Sequence, residues 1–122
     1  MVHRVGTLLR NPELDEIIRL MFWPYRIRCV SGKWMSRGQW DSRIGCMIVD
    51  WFQCTSSERR AVLAWEQQSS LMLIDISGIL SLSFRTNRRI FKPPFYWDGL
   101  VDEVVRHIGV VDHQKRVVQQ IL

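Results

Sequence analysis

No stretch of this 122-residue sequence is apolar for the roughly 18–20 residues that a bilayer requires. Its longest apolar clusters, around Leu71–Ile76 and Ile44–Phe52, are interrupted or only strand-sized, so no membrane-spanning helix is expected. Residues 1–10 carry charge but neither an apolar signal core nor a small-residue cleavage site, which points to a cytoplasmic chain rather than an exported one. Cysteine is scarce. Cys29, Cys46 and Cys54 cannot all pair within one chain, and small domains stapled by disulfides use more of them. All three sit in strand-like apolar stretches, where a thiol behaves as a small buried hydrophobe, so we expect them reduced. The signatures of catalysis are also missing: there is no phosphate-cradling glycine loop, no GxSxG, no HExxH and no CxxC. His107 and His113 lie six apart across an expected helix break, and His3 stands near the terminus, so no pair has the spacing of metal ligands on one helix face. The acids Asp50, Glu58, Glu66 and Asp75 fall in separate segments with no spacing that suggests a carboxylate pair. We therefore expect no enzyme, no metal and no cofactor.

What is present is an ordinary core-forming composition, 47% apolar and 24% charged, which argues against disorder. The length suits one domain over residues 1–122. The net charge of +5 is carried almost wholly by arginine, whose planar fork of donors suits phosphate or carboxylate partners.

Asn11-Pro12-Glu13 opens a helix over 12–22: Asn caps, Pro takes the first turn, and Glu13, Asp15 and Glu16 place negative charge at the positive end of the dipole. Leu14, Ile17, Ile18 and Met21 recur at helical spacing, and Pro24 stops the run. From Tyr25 the period changes to two, with Tyr25, Ile27 and Cys29 alternating against Arg26 and Arg28. Ser31-Gly32-Lys33 reads as a turn, and Trp34 to Trp40 is either a hairpin return or an irregular loop. Ile44–Cys54 is a strongly β-prone, central segment. Arg60–Glu66, Leu71–Ile76 and Ile79–Phe84 follow as further short strands, separated by polar turns, with Thr86-Asn87 turning the chain again. A C-terminal helix capped by Asp98 carries Leu100, Val101, Val104, Val105 and Ile108 on one face and ends at Gly109; Asp112 opens a last helix.

The expected class is α+β, with an N-terminal helix, a small, strongly bent antiparallel sheet or SH3-like barrel of about five strands in residues 25–84, and a helix or helix pair over 98–122. The strand, short turn and returning strand of Val62-Leu63-Ala64-Trp65, Leu71–Ile76, Ser77-Gly78 and Ile79-Leu80 resembles the small SH3-like barrels, which include Sm-like proteins and WYL domains. The likeness spans at most Tyr25–Phe84. Where WYL domains carry an Arg-x-Phe-Arg-like stretch, this chain has the apolar Leu71-Met72-Leu73-Ile74, so the resemblance implies a fold and no binding site.

Two constellations stand out. Arg85, Arg88, Arg89 and Lys92 surround a turn and precede Phe95, Tyr96 and Trp97, as a surface requires if cations are to neutralise phosphates while rings stack on bases. Arg26 and Arg28, with Lys33 and Arg43, would extend that patch if their strands were adjacent. The same aromatics would equally serve to pack the last helix on the sheet. Trp34, Arg37 and Trp40 form a second candidate, a protein-contact tip of the residue types enriched at binding hot spots. The first expectation is thus nucleic-acid binding, DNA or RNA, and the alternative is a small regulator or inhibitor docking an acidic protein. An enzyme of unrecognised type comes third. A homodimer through Val117, Val118, Ile121 and Leu122 is a further possibility.

Overall fold

The computed structural model describes residues 3–32, 43–68, 71–83 and 86–109. Eight elements follow one another: β1 (His3–Leu8), α1 (Pro12–Phe22), β2 (Ile27–Ser31), β3 (Ile44–Val49), α2 (Ser56–Gln68), β4 (Met72–Asp75), β5 (Asn87–Ile90) and α3 (Trp97–Ile108). The strands form one five-stranded sheet in the order β2-β1-β3-β4-β5, and every neighbouring pair is parallel.

The expected bent antiparallel sheet or SH3-like barrel is therefore corrected to an open parallel sheet; the coarser mixed α and β class holds. Two segments account for the change. Residues 3–8 supply β1, which pairs with both β2 and β3. Arg60–Glu66, read as a strand from its apolar run, lies inside α2. The start of α2 is set by a reciprocal cap: Thr55 Oγ1 accepts from the Glu58 N–H at 3.1 Å, while Glu58 Oε1 accepts from the Thr55 N–H at 2.8 Å. Parallel neighbours need long crossovers rather than hairpins, and α1 and α2 supply two of them.

Period-two burial divides the core. Val5, Ile27, Cys29, Cys46, Ile48, Met72 and Ile74 face α1 and α3, meeting Ile18, Phe22, Leu100, Val101, Val104 and Val105. Leu8, Ile44, Met47, Val49 and Leu73 face α2 through Val62 and Trp65. Helices thus cover both faces, as a parallel sheet demands. This is also the strand order of the flavodoxin-like doubly wound sheets. β3 occupies the centre of the order, as its continuous apolar run predicts.

α1 begins as its sequence requires, with Asn11 Oδ1 accepting from the Glu13 and Leu14 N–H groups at 3.0 and 3.5 Å. α3 starts one residue before Asp98, after Tyr96, which gives no side-chain cap, and it ends at Gly109 with φ 82°. Thr86-Asn87 is no turn, because Asn87 is the first residue of β5. Ile79–Phe84 is not a strand in its described part, residues 79–83. The β4–β5 crossover carries no helix among its described residues.

Asp75 holds that crossover in place. Buried at the end of β4, its Oδ1 accepts from the N–H groups of Trp51 (3.1 Å) and Ser77 (2.8 Å) and from the Ser77 hydroxyl (2.6 Å). Its Oδ2 accepts from the N–H groups of Ile79 (3.1 Å) and Leu80 (2.9 Å). Gly78, at φ 77°, lets the loop press on the chain leaving β5; a Cβ there would stand 2.9 Å from Lys92 Cα. No helix among the described residues is long and apolar enough to cross a membrane.

Candidate functional site

The cluster expected around residues 85–92 is partly taken up by the fold. Arg88 Nε and Nη2 donate to the two carboxylate oxygens of Glu66 at 2.7 and 2.8 Å, and Nη1 donates to the Ser81 carbonyl at 2.7 Å. The Arg88 and Glu66 side chains are 11% and 0% exposed, so this fork ties β5 to α2 inside the molecule. The hydrogen bonds that Arg88 donates to Glu66 raise its pKa further, against a smaller lowering by burial. Arg88 is therefore unable to offer its fork to a phosphate. Arg89 is more exposed but is shared among Glu103 (3.2 Å), Asn87 Oδ1 (2.8 Å) and the Arg88 carbonyl (3.0 Å). Lys92 is exposed just beyond β5, and Arg85 lies outside the described residues.

The neighbouring aromatics mostly pack inward. Phe91 and Phe95 stand 5.4 Å apart, Phe95 and Trp97 4.8 Å in an edge contact, and all three lie against the core under α3. Only Tyr96 of the Phe95-Tyr96-Trp97 run projects into solvent. Arg26 and Arg28 belong to the β2 end of the sheet, with β1, β3 and β4 between them and β5. The adjacency that would have joined them to Arg88 and Arg89 does not exist. Trp34, Arg37, Trp40 and the Val117–Leu122 edge fall outside the described residues.

Arg26 and Arg28 instead line a groove of about 890 Å³ beside β2, together with Arg19, Trp23, Pro24, Ile27 and Cys29. Trp23 closes the last turn of α1 and is 78% exposed. Arg26 follows the 3-10 turn Trp23–Tyr25 in a left-handed conformation, φ 56°, and β2 begins at the next residue. Alternation sets Arg28 on the sheet face away from buried Ile27 and Cys29. Arg19 braces the floor, with Nη1 donating to the Cys29 carbonyl at 3.0 Å and Nε to Asp15 at 3.3 Å. Leu20 and Ile17 continue the apolar surface back along α1, 68% and 48% exposed. The groove thus joins a large exposed indole to arginines that have no carboxylate partner among the described residues, Arg26 and Arg28, and two exposed aliphatic side chains stand on α1 outside its lining. Sequence reading missed Trp23 because an aromatic between a helix and a proline reads as core. Its signal was position: Leu14, Ile18, Met21 and Phe22 already complete the inward face.

The carboxyl ends of the strands, where doubly wound sheets commonly bind small ligands at the β1/β3 reversal, offer little room here. Arg10 spans that reversal, donating to the Gln53 carbonyl at 2.8 Å and to Glu58 at 2.9 Å. The cavity it borders, with Leu8, Leu9 and Cys54, measures about 10 Å³, space for about one water. A second cavity of about 150 Å³ lies among Thr7, Leu9, Arg10, Pro12, Asp15 and Ser31, and Thr7 spends its hydroxyl on Asp15 at 2.8 Å. Among the described residues no three His, Cys, Asp or Glu side chains gather as metal ligands.

The cysteines are free. Val5 pairs with Cys29 on one side and Cys46 on the other, so two strand spacings, about 9.6 Å, separate their Cα atoms, beyond the roughly 7 Å limit for a disulfide. Burial pushes Cys46 up to about 12 and Cys29 and Cys54 up to about 11. For Cys29 the neighbouring Arg19 opposes that rise, and for Cys54 Glu58 adds to it. Because folding raises these values above 9.0, the unfolded chain loses protons first, and stability is expected to decline as pH rises from about 9 towards 11–12. A disulfide-exchange dye at pH 8 should label the folded protein at least about a hundredfold more slowly than the unfolded chain. Fast labelling of all three native thiols would contradict the burial.

No family model, curated protein or solved structure matches this chain.

Proposed function

We propose that this chain is a non-enzymatic interaction module that docks an acidic protein partner through the groove at the β2 edge. The observation that carries this reading is Trp23, 78% exposed, lining one groove with Arg26 and Arg28, with Leu20 and Ile17 also exposed on α1. Solvent-facing tryptophan with arginine is the pairing that dominates binding energy at protein contacts. The aliphatic pair favours a protein over a nucleic acid, because phosphates and bases draw on cations and rings. The nucleic-acid reading also leans on Arg88, whose donors are already engaged by Glu66 and Ser81.

A random copolymer of glutamate and tyrosine serves as an acidic polypeptide probe. Binding at low salt is expected to weaken about tenfold or more on Trp23→Ala and on Arg26→Glu/Arg28→Glu, in line with the loss of a hot-spot residue. Arg89→Glu/Lys92→Glu should leave it within about twofold, as changes outside an interface do. A duplex or single-stranded oligonucleotide that binds more tightly than the copolymer, and is lost on changing Arg89 and Lys92, would favour nucleic acid and overturn the reading.

A further inference from the structure

The exposed side of α1 is self-complementary, and we propose that the acidic surface met by Trp23 and Arg26 is the Glu13–Glu16 end of α1 in a second copy of this chain, packed α1 against α1 about a two-fold axis. The inference rests on the docking reading above and names its partner. At 3.6 residues per turn, Glu13, Glu16, Ile17, Leu20 and Trp23 fall within about 120° of helix arc, on the side away from Leu14, Ile18, Met21 and Phe22, which enter the core. Along that stripe the chemistry is graded. Exposed acids, Glu13 and Glu16, stand at the N-terminal end; exposed apolar Ile17 and Leu20 hold the middle; Trp23 and then Arg26 stand at the C-terminal end.

The ends of this gradient lie about 15 Å apart. The carboxylates of Glu13 and Glu16 have no ion-pair partner among the described residues, and neither has the Arg26 guanidinium. Antiparallel packing about an axis between Ile17 and Leu20 brings the acids of one copy opposite Trp23 and Arg26 of the second, while the aliphatic residues meet at the centre. Both ends are matched at once, which is the property an isologous interface requires. Parallel packing would set acid against acid and cation against cation. Arg19 adds to this arrangement from within each copy, because its bond to the Cys29 carbonyl occupies the edge of β2 and disfavours pairing strand to strand. The same stripe on a monomer would leave three large apolar side chains in water on one short helix.

The test is sedimentation of the full chain over a range of concentrations, with three variants at exposed positions. The wild type is expected to dimerise. Arg26→Glu alone, and Glu13→Arg/Glu16→Arg alone, should each weaken self-association at least about tenfold, because like charges then face each other across the axis. Mixing the two variants should restore a heterodimer. Leu20→Asp should abolish the dimer while circular dichroism shows the fold unchanged. A dimer indifferent to all of these, such as one built on Val117–Leu122, would overturn the proposal. So would a wild type that stays monomeric yet binds the glutamate–tyrosine copolymer through Trp23, an outcome that leaves the docking reading standing. A monomer that binds neither overturns both.

Discussion

Replacing Asp75 with alanine is expected to destabilise the protein by about 4 kcal/mol, since a buried donor left unpaired costs about 1–3 kcal/mol and hydrogen bonds to charged groups are the stronger kind. Five donors converge on this carboxylate. Water can reach the half-buried Ser77 and the exposed Ile79, but Trp51 and Leu80 are buried and would keep unpaired N–H groups. The consequence is more than local. The β4–β5 crossover has no helix among its described residues to pack it down, so Asp75 fixes its first turn while the Arg88 bond to the Ser81 carbonyl fixes it further along. Asp75→Asn should cost less than alanine, about 2–3 kcal/mol, because one acceptor oxygen survives while the amide now faces N–H donors. Urea denaturation with an unchanged slope gives both values. Hydrogen exchange should quicken first at residues 77–80. An alanine variant within about 1 kcal/mol of wild type would show that solvent replaces the carboxylate.

The Glu66–Arg88 pair yields the second large effect. Arg88→Met or Glu66→Leu alone should each cost about 3–5 kcal/mol, because a charge is left in a site built for two. The double variant Glu66→Leu/Arg88→Met should be more stable than either single one, because two apolar side chains leave no charge stranded in the space between β5 and α2. Simple additivity of the two single losses would mean that the pair is not coupled, contrary to its bidentate geometry at 2.7 and 2.8 Å. The same cycle bears on function. A guanidinium committed in this way supports the fold, so Arg88→Met at a temperature where it stays folded should leave copolymer binding unchanged.

How much of this was legible beforehand varied with the range of the interaction. Part of what depends on neighbours in sequence could be read: the Asn11 cap, the end of α1 before Pro24, the apolar run of β3 and the glycine that ends α3. Two local signals were present and passed over. Thr55-Ser56-Ser57-Glu58 is a capping box, and giving it weight would have turned the Val62–Trp65 run from strand to helix. Asp75-Ile76-Ser77 is an aspartate bonding to the backbone two residues on, the pattern of an Asx turn. Once α2 is a helix and residues 3–8 are a strand, β1–α1–β2 and β3–α2–β4 become helical crossovers and the sheet parallel, so one misread segment and one unassigned segment together changed the topology.

The site was harder to read. Whether Arg88 meets a phosphate or Glu66, 22 residues away, depends on which strand lies beside which helix, and local pattern does not encode that. Arg26 and Arg28 were read as an extension of the cluster around residues 85–92, and the sheet separates them from β5 and sets them beside Trp23 instead. Trp23 was given no role, because the helix was read over 12–22, and only three-dimensional packing shows that Phe22 takes the buried place while the indole stays outside.

The central claim, that contact is made at the β2 edge and not around the turn before β5, is tested most directly by mapping backbone amide resonances while the glutamate–tyrosine copolymer is added. Line broadening concentrated over residues 17–29 is the predicted result. Broadening concentrated over residues 86–96, with residues 17–29 unaffected, would contradict it.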